Sequence, residues 1–174
     1  MEIIGIGNAG REICKLFDEK GYKTYSIDTH KDAFVKFPKV KTIEAAEKVQ
    51  IDLSELKNSI KSNEILCVMA GSGVITGACL KILENFKDKS IGFLYIQPDT
   101  SFMNNNGKER ERVVRNILQE FARSGLFNKM WMVSNKSISN LSSDISIGNY
   151  FQKVNEKIVD MWCLMEYYGQ ASAL

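Results

Sequence analysis

The sequence predicts a doubly wound α/β fold, a mostly parallel sheet with helices on both faces. Three observations carry that expectation. Apolar runs of strand length alternate with helix-length segments along the chain, which implies right-handed crossovers between parallel strands. The runs at 65–70 and 91–96 are apolar on both faces, as strands covered by helices on each side should be. Two strands also lead straight into glycine-rich turns, Gly5-Ile6-Gly7-Asn8-Ala9-Gly10 and Ala70-Gly71-Ser72-Gly73-Val74-Ile75-Thr76-Gly77, each followed by an amphipathic helix. Such a turn leaves backbone N–H groups free at a helix N-terminus, where partial positive charge favours an anion.

In chain order, a first strand is expected near 2–6, and its glycine turn opens a helix near 9–20. A second strand near 23–28 ends at Asp28. Pro38 marks a loop, a weaker strand follows near 39–42, and one helix is expected across 44–61. The apolar strand at 65–70 feeds the second glycine turn and a helix near 75–86. Pro98 and the run Asn104-Asn105-Asn106-Gly107 place loops between a strand near 91–96 and a helix near 107–124. A strand near 129–134 precedes a polar surface connection from Ser134 to Ser146, and a long helix near 149–168 follows. No repeat or low-complexity linker interrupts this order, so residues 1–174 form one domain.

A length of 174 residues suffices for a sizeable core. A chain with 44% hydrophobic and 25% charged residues has a globular composition. The formal charge of +2 is too small for a nucleic-acid or membrane footprint. No apolar run approaches a membrane span, and the N-terminus enters a strand without a signal peptide, which points to the cytoplasm. Cys14, Cys67, Cys79 and Cys163 lie in apolar contexts without C-x-x-C spacing, as buried free thiols do. His30, the single histidine, has no partner cluster for a metal or a triad.

Gly5, Gly7 and Gly10 satisfy G-x-G-x-x-G between a strand and a helix, and Asp28 lies eighteen residues beyond Gly10. That spacing suits a dinucleotide such as NAD, with the acid on a ribose hydroxyl. The same glycines equally suit tight strand-to-helix packing without a ligand.

Later segments bear on the choice. The run from Ala70 to Gly77 resembles, without a gap, the glycine-rich phosphate loop of the tubulin/FtsZ superfamily. Gly5-Ile6-Gly7-Asn8-Ala9-Gly10-Arg11-Glu12-Ile13 is similar to that family's opening loop, particularly in its phage and plasmid branches. Gly107-Lys108-Glu109-Arg110 resembles the family's glycine-to-arginine turn beside the nucleotide. Val133-Ser134-Asn135-Lys136 is similar to the strand end that carries a base-reading Asn. Tyr150-Phe151 with Asn155 resembles the start of the long central helix, where an aromatic precedes an Asn or Asp by four residues. These segments follow in family order from Ile3 to about Tyr168.

The resemblance implies a Rossmann-like nucleotide-binding domain ending at the central helix, which takes GTP or GDP with Mg²⁺ as counter-ion and self-associates. By the same resemblance Gly7, Asn8, Gly10, Gly71, Ser72, Gly73, Thr76 and Gly77 surround the phosphates. Arg110 lies beside the ribose or phosphate, and Asn135, Phe151 and Asn155 hold the base. Helix geometry agrees, because residues four apart share a face: Phe151 can cover a flat ring while Asn155 reaches its edge. A side-chain amide offers donors and an acceptor, which suits the mixed edge of guanine.

Three departures qualify the implication. Val74, Ile75 and Cys79 replace family glycines, and β-branched residues resist positive φ and crowd phosphates. Phe37-Pro38-Lys39-Val40-Lys41 leads almost directly into the helix near Thr42, without the family's second glycine-rich loop, which meets the terminal phosphate. No Asp or Glu follows Glu166, so the acid that triggers hydrolysis in a neighbouring subunit has no counterpart in this sequence. The expected function is guanine-nucleotide binding and self-assembly, with little or no GTP hydrolysis by this chain alone and no catalytic residue assigned. Two other readings stay open: a virion-type structural protein that keeps the fold without the nucleotide, and an NAD-dependent oxidoreductase. For the latter no acid–base pair stands out in the second half.

Overall fold

The computed structural model describes residues 1–141 and 147–171. Six strands form one all-parallel sheet: β1 (Glu2–Ile6), β2 (Thr24–Asp28), β3 (Val35–Lys36), β4 (Glu64–Ala70), β5 (Ser90–Gln97) and β6 (Lys129–Ser134). Their order is β3-β2-β1-β4-β5-β6. The chain winds outward in both directions from β1 and β4, so the crevice beyond their carboxyl ends is the switch point where such sheets hold ligands. Gly5 is in register with Val68 and Ile6 with Met69, which sets the two glycine-rich turns side by side.

Strand periodicity divides the core into two layers. On one face Ile4, Ile6, Met69, Phe93 and Tyr95 pack beneath α2 (Ile43–Lys48), α3 (Ser54–Ser59), α4 (Cys79–Glu84) and α5 (Asn105–Ser124). On the other Ile3, Leu66, Val68 and Leu94 meet Ile13 and Phe17 of α1 (Gly7–Glu19), Ile138 of α6 (Asn135–Asn140) and Val154 and Ile158 of α7 (Tyr150–Ala171). Trp131 of β6 and Trp162 of α7 meet edge to face with ring centroids 4.7 Å apart, and Trp162 also touches Phe17. Lys20 and Asp160, at 2.8 Å, tie the end of α1 to α7.

Four sequence expectations need correction. The segment at 39–42 is not a strand; the edge strand is the two-residue β3, held by Ile27 and Asp28. The helix expected across 44–61 is two helices. Val49 turns to extended backbone after α2, and Asp52 accepts the Ser54 N–H at 2.9 Å, so the chain restarts at α3. The helix expected near 75–86 begins as a 3₁₀ turn, Val74–Ala78, before α4. The surface connection at 134–146 contains α6, which Ser134 caps by accepting the Ser137 N–H; residues 142–146 lie outside the described residues. Among smaller shifts, α5 starts at Asn105 because Asn104 caps it, accepting the Gly107 N–H at 2.8 Å.

Cys14, Cys67 and Cys79 are buried free thiols and Cys163 is half-buried. Burial pushes Cys14 and Cys79 up to about 12, so neither supplies a thiolate. Among the described residues no helix is long and apolar enough to cross a membrane.

Candidate functional site

A cavity of about 320 Å³ opens at the switch point, where β1, β4 and β5 end and α1, α6 and α7 begin. It brings together Gly7, Asn8, Ser72, Gly73, Asn135, Phe151 and Asn155, seven of the residues singled out from sequence.

One end is built for a flat polar group. Asn135, only 6% exposed, is the first residue of α6, and its Oδ1 has no hydrogen-bond partner. An unpaired buried acceptor costs about 1–3 kcal/mol, so it is a place where a ligand donor restores the balance. The hydroxyl of Tyr150 donates to the backbone oxygen of Asn135 at 3.4 Å, which fixes the start of α7 against α6. Phe151 packs edge to face on Tyr150 and leaves much of its ring free, 68% exposed. Asn155, half-buried, stands one turn further on the same helix face.

The other end is made of main chain. Ile6 caps α1 without a side-chain hydrogen bond, and the first turn of this 13-residue helix carries no acid. Its N–H groups at Gly7, Asn8 and Ala9 therefore keep the positive end of the helix dipole uncovered. Gly7 has φ +75, a conformation side chains disfavour. Opposite it, Gly73 and Ser72 belong to the second glycine turn. That turn closes on itself: Thr76 donates to the Gly73 oxygen from its N–H at 3.2 Å and its hydroxyl at 2.7 Å. Arg110 Nη1 reaches the Ser72 oxygen at 3.3 Å, tying the turn to α5.

The expected strain at Val74 and Ile75 is not found, because Gly7, Gly21 and Gly125 are the positive-φ residues among those described. The crowding is real and comes from a side chain. A Cβ placed on Gly7 would meet Ile75 Cγ2 at 2.8 Å, so Ile75 occupies the gap between the two turns.

Gly10, Gly71, Thr76, Gly77 and Arg110 do not line the cavity. The three glycines serve close packing: an added Cβ would lie 2.5 Å from the Val68 oxygen at Gly10, 1.8 Å from the Tyr95 hydroxyl at Gly71, and 2.1 Å from the Ile43 oxygen at Gly77. Conversely, the cavity includes Glu12 and Pro98, which the sequence reading missed. Glu12 lies four residues after Asn8 on α1, a spacing that could have revealed it; Pro98 follows β5, whose end is the third strand end at the crevice.

Asp28 is committed elsewhere. Its Oδ2 accepts Arg11 Nε at 3.0 Å and its Oδ1 accepts the Thr29 N–H at 2.7 Å. That pairing gives Asp28 a structural role beside the ribose contact that a dinucleotide reading assigns it. Arg11 also donates to Asn8 Oδ1 at 2.9 Å, which orients the Asn8 amide so that its NH₂ group remains a donor.

CetZ2 from Haloferax volcanii, solved as a GTPγS-bound protofilament, superposes on this chain with a TM-score of 0.70 at 16% identity, covering 95% of this chain. The chain has the tubulin/FtsZ fold. The chain spans 58% of the length of CetZ2. No protein-family model and no curated protein matches the sequence.

Proposed function

We propose that this chain is a tubulin-like assembly protein whose switch-point cavity binds a guanine nucleotide. The orphaned Asn135 Oδ1 carries the reading. It is a buried acceptor beside an open aromatic face and a second amide, facing the uncapped N-terminus of α1. A purine edge rich in N–H donors satisfies Asn135, Phe151 covers the ring, Asn155 reaches its edge, and the main chain of Gly7, Asn8, Ser72 and Gly73 receives the phosphates. Self-association along a filament rests on the likeness to a protofilament subunit.

A Mg²⁺ counter-ion would be held mainly by the nucleotide phosphates and water rather than by a protein cage. Among the described residues no group of three or more His, Cys, Asp or Glu side chains could hold a metal. Asp28 is engaged by Arg11 and Thr29, and Glu12 by Arg11 at 2.7 Å and Lys15 at 3.0 Å. The same pairing leaves Glu12 poorly placed to activate water, so hydrolysis is not part of the reading.

Chromatography of whatever the freshly purified, denatured protein releases tests the proposal, together with calorimetry of GDP and ADP. Guanine nucleotide is expected, and Asn155→Ala is expected to weaken GDP by about 1–3 kcal/mol while ADP changes little. Equal losses for both nucleotides would show that Asn155 does not read the base. A second reading, a structural protein without nucleotide, is favoured by one observation, the Ile75 side chain between the turns. It predicts binding only once Val74 and Ile75 are both replaced by Gly.

A further inference from the structure

A second cavity, of about 410 Å³, lies between α2, α4 and α5. Thr76 and Gly77 line it, whereas Gly73 and Ile75 line the switch-point cavity, so one 3₁₀ turn separates the two. Met69 of β4, fully buried, forms the floor, while Leu80, Val113 and Ile117 on the walls are 38–48% exposed. Val113, Ile117 and Phe121 follow at four-residue spacing, which lays an apolar stripe of α5 along the slot. The walls are braced from outside it. Gly77 lets the 3₁₀ turn press on the Ile43 oxygen of α2, and Lys81 of α4 donates to the Val49 oxygen at 3.4 Å. Glu111 of α5 accepts from the Tyr95 hydroxyl and from Arg115 Nε, each at 3.2 Å. The edge of the slot is acidic. Glu47 of α2 and Glu84 of α4 are exposed there, and among the described residues neither carboxylate has an ion-pair or hydrogen-bond partner. Lys81, the one cation among the described lining residues, is turned to Val49.

We infer that this slot is a binding site for an apolar amine, a small molecule with an aromatic body and an alkylammonium head. A braced, mostly apolar pocket of this volume with a few polar groups at its edge is the usual form of a small-molecule site. The Met69 thioether and the Phe121 ring suit an aromatic body, because sulfur and ring edges both pack well on a π system. Such a body also covers the apolar surface of Leu80, Val113 and Ile117 that is otherwise left to water. Two carboxylates without counter-charge select a cationic head over a neutral or anionic one, since a charge-assisted hydrogen bond is about twice as strong as a neutral one. The inference stands apart from the nucleotide reading, for the two cavities share no lining residue.

Calorimetric titration of the purified chain with 4-phenylbutylamine, 4-phenylbutanol and 4-phenylbutyrate, which share a body and differ in the head, tests the inference. The amine is expected to bind at least about tenfold more tightly than the alcohol, and the acid most weakly of the three. Glu47→Gln/Glu84→Gln is expected to bring the amine down to the alcohol's affinity and to leave the alcohol within about twofold. Ile117→Trp, a substitution at a half-exposed position that fills the slot without disturbing the buried core, is expected to abolish binding of all three while the thermal melt stays cooperative. Saturating GDP is expected to leave the amine's affinity unchanged. An amine preference that survives in the Gln variant overturns the carboxylate assignment. Binding that persists in Ile117→Trp, or that GDP displaces, places the ligand elsewhere and overturns the site. No binding of the amine up to about 5 mM, the affinity expected of a fragment of this size, overturns the inference outright and leaves the nucleotide reading untouched.

Discussion

The two glycine-rich turns look alike in sequence and are built on different principles. After β1, Gly7 is needed for its backbone conformation, at φ +75, while Gly5 and Gly10 let α1 settle against β1 and β4. After β4, no glycine has positive φ; Gly71 makes room for the Tyr95 hydroxyl and Gly77 for the main chain of α2. The first turn keeps an uncapped helix end open to the cavity. The second is braced from behind, by Tyr95 and Glu111 below it and Arg110 beside it. A glycine motif therefore reports close approach as often as it reports a phosphate, and only the neighbours of each glycine decide which.

Substitutions separate these roles. Gly5→Ala is expected to do the most damage, because its Cβ would lie 2.3 Å from the Gly10 oxygen, a main-chain atom that cannot step aside. A loss above about 3 kcal/mol in urea titration is expected, and a loss below 1 would show that α1 can shift on β1. Gly71→Ala comes next, at about 2–3 kcal/mol. Its obstacle is the buried Tyr95 hydroxyl, which donates to Glu111 at 3.2 Å. In a double-mutant cycle Tyr95→Phe should therefore offset part of that cost, by about 1 kcal/mol, and strict additivity would place the clash elsewhere.

A smaller effect is expected for Gly7→Ala, and Gly21→Ala provides its control. Both have positive φ, but nothing lies within 4 Å of an added Cβ at Gly21, so that variant reports the backbone cost alone, about 1–2 kcal/mol. Gly7→Ala should cost more than Gly21→Ala, and Ile75→Ala should erase the difference. If the gap persists without the Ile75 side chain, the contact is not its cause. Gly73→Ala is the mildest case. Its φ of −80 and ψ of 146 suit any residue, and the nearest atom to an added Cβ is Ile75 Cγ2 at 3.6 Å. Stability should hold or rise by about 0.4–1 kcal/mol through the unfolded state, and a thermal melt that falls would show a hidden demand on this turn.

The sheet was legible because β1, β4 and β5 are buried on both faces, which forces unbroken apolar runs. β3 was not, since a two-residue edge strand has no periodicity to detect, and Pro38 drew attention past it. The break between α2 and α3 was missed for a related reason. Val49, Ile51 and Leu53 keep an apolar pattern through a segment whose course is set by local hydrogen bonds such as Asp52 to Ser54. At the site, Asn135, Phe151 and Asn155 were legible through the resemblance to the family's segments, and helix spacing agrees for the last two. The packing duties of Gly10, Gly71 and Gly77 depend on Val68, Tyr95 and Ile43, partners brought close only by the tertiary fold. Glu12 and Pro98 enter the cavity by position, without a residue pattern that marks them.

The pairing of Trp131 with Trp162 gives the molecule a built-in optical gauge. The chain has two tryptophans, and both sit at the seam between β6 and α7 with centroids 4.7 Å apart. Their coupled near-ultraviolet circular dichroism is a private report from that seam, silent about the glycine-rich turns and about the far edge at β3. Because α7 also begins with Phe151 and Asn155, a ligand that pulls on the start of this helix can be followed by light at its middle, with no label attached.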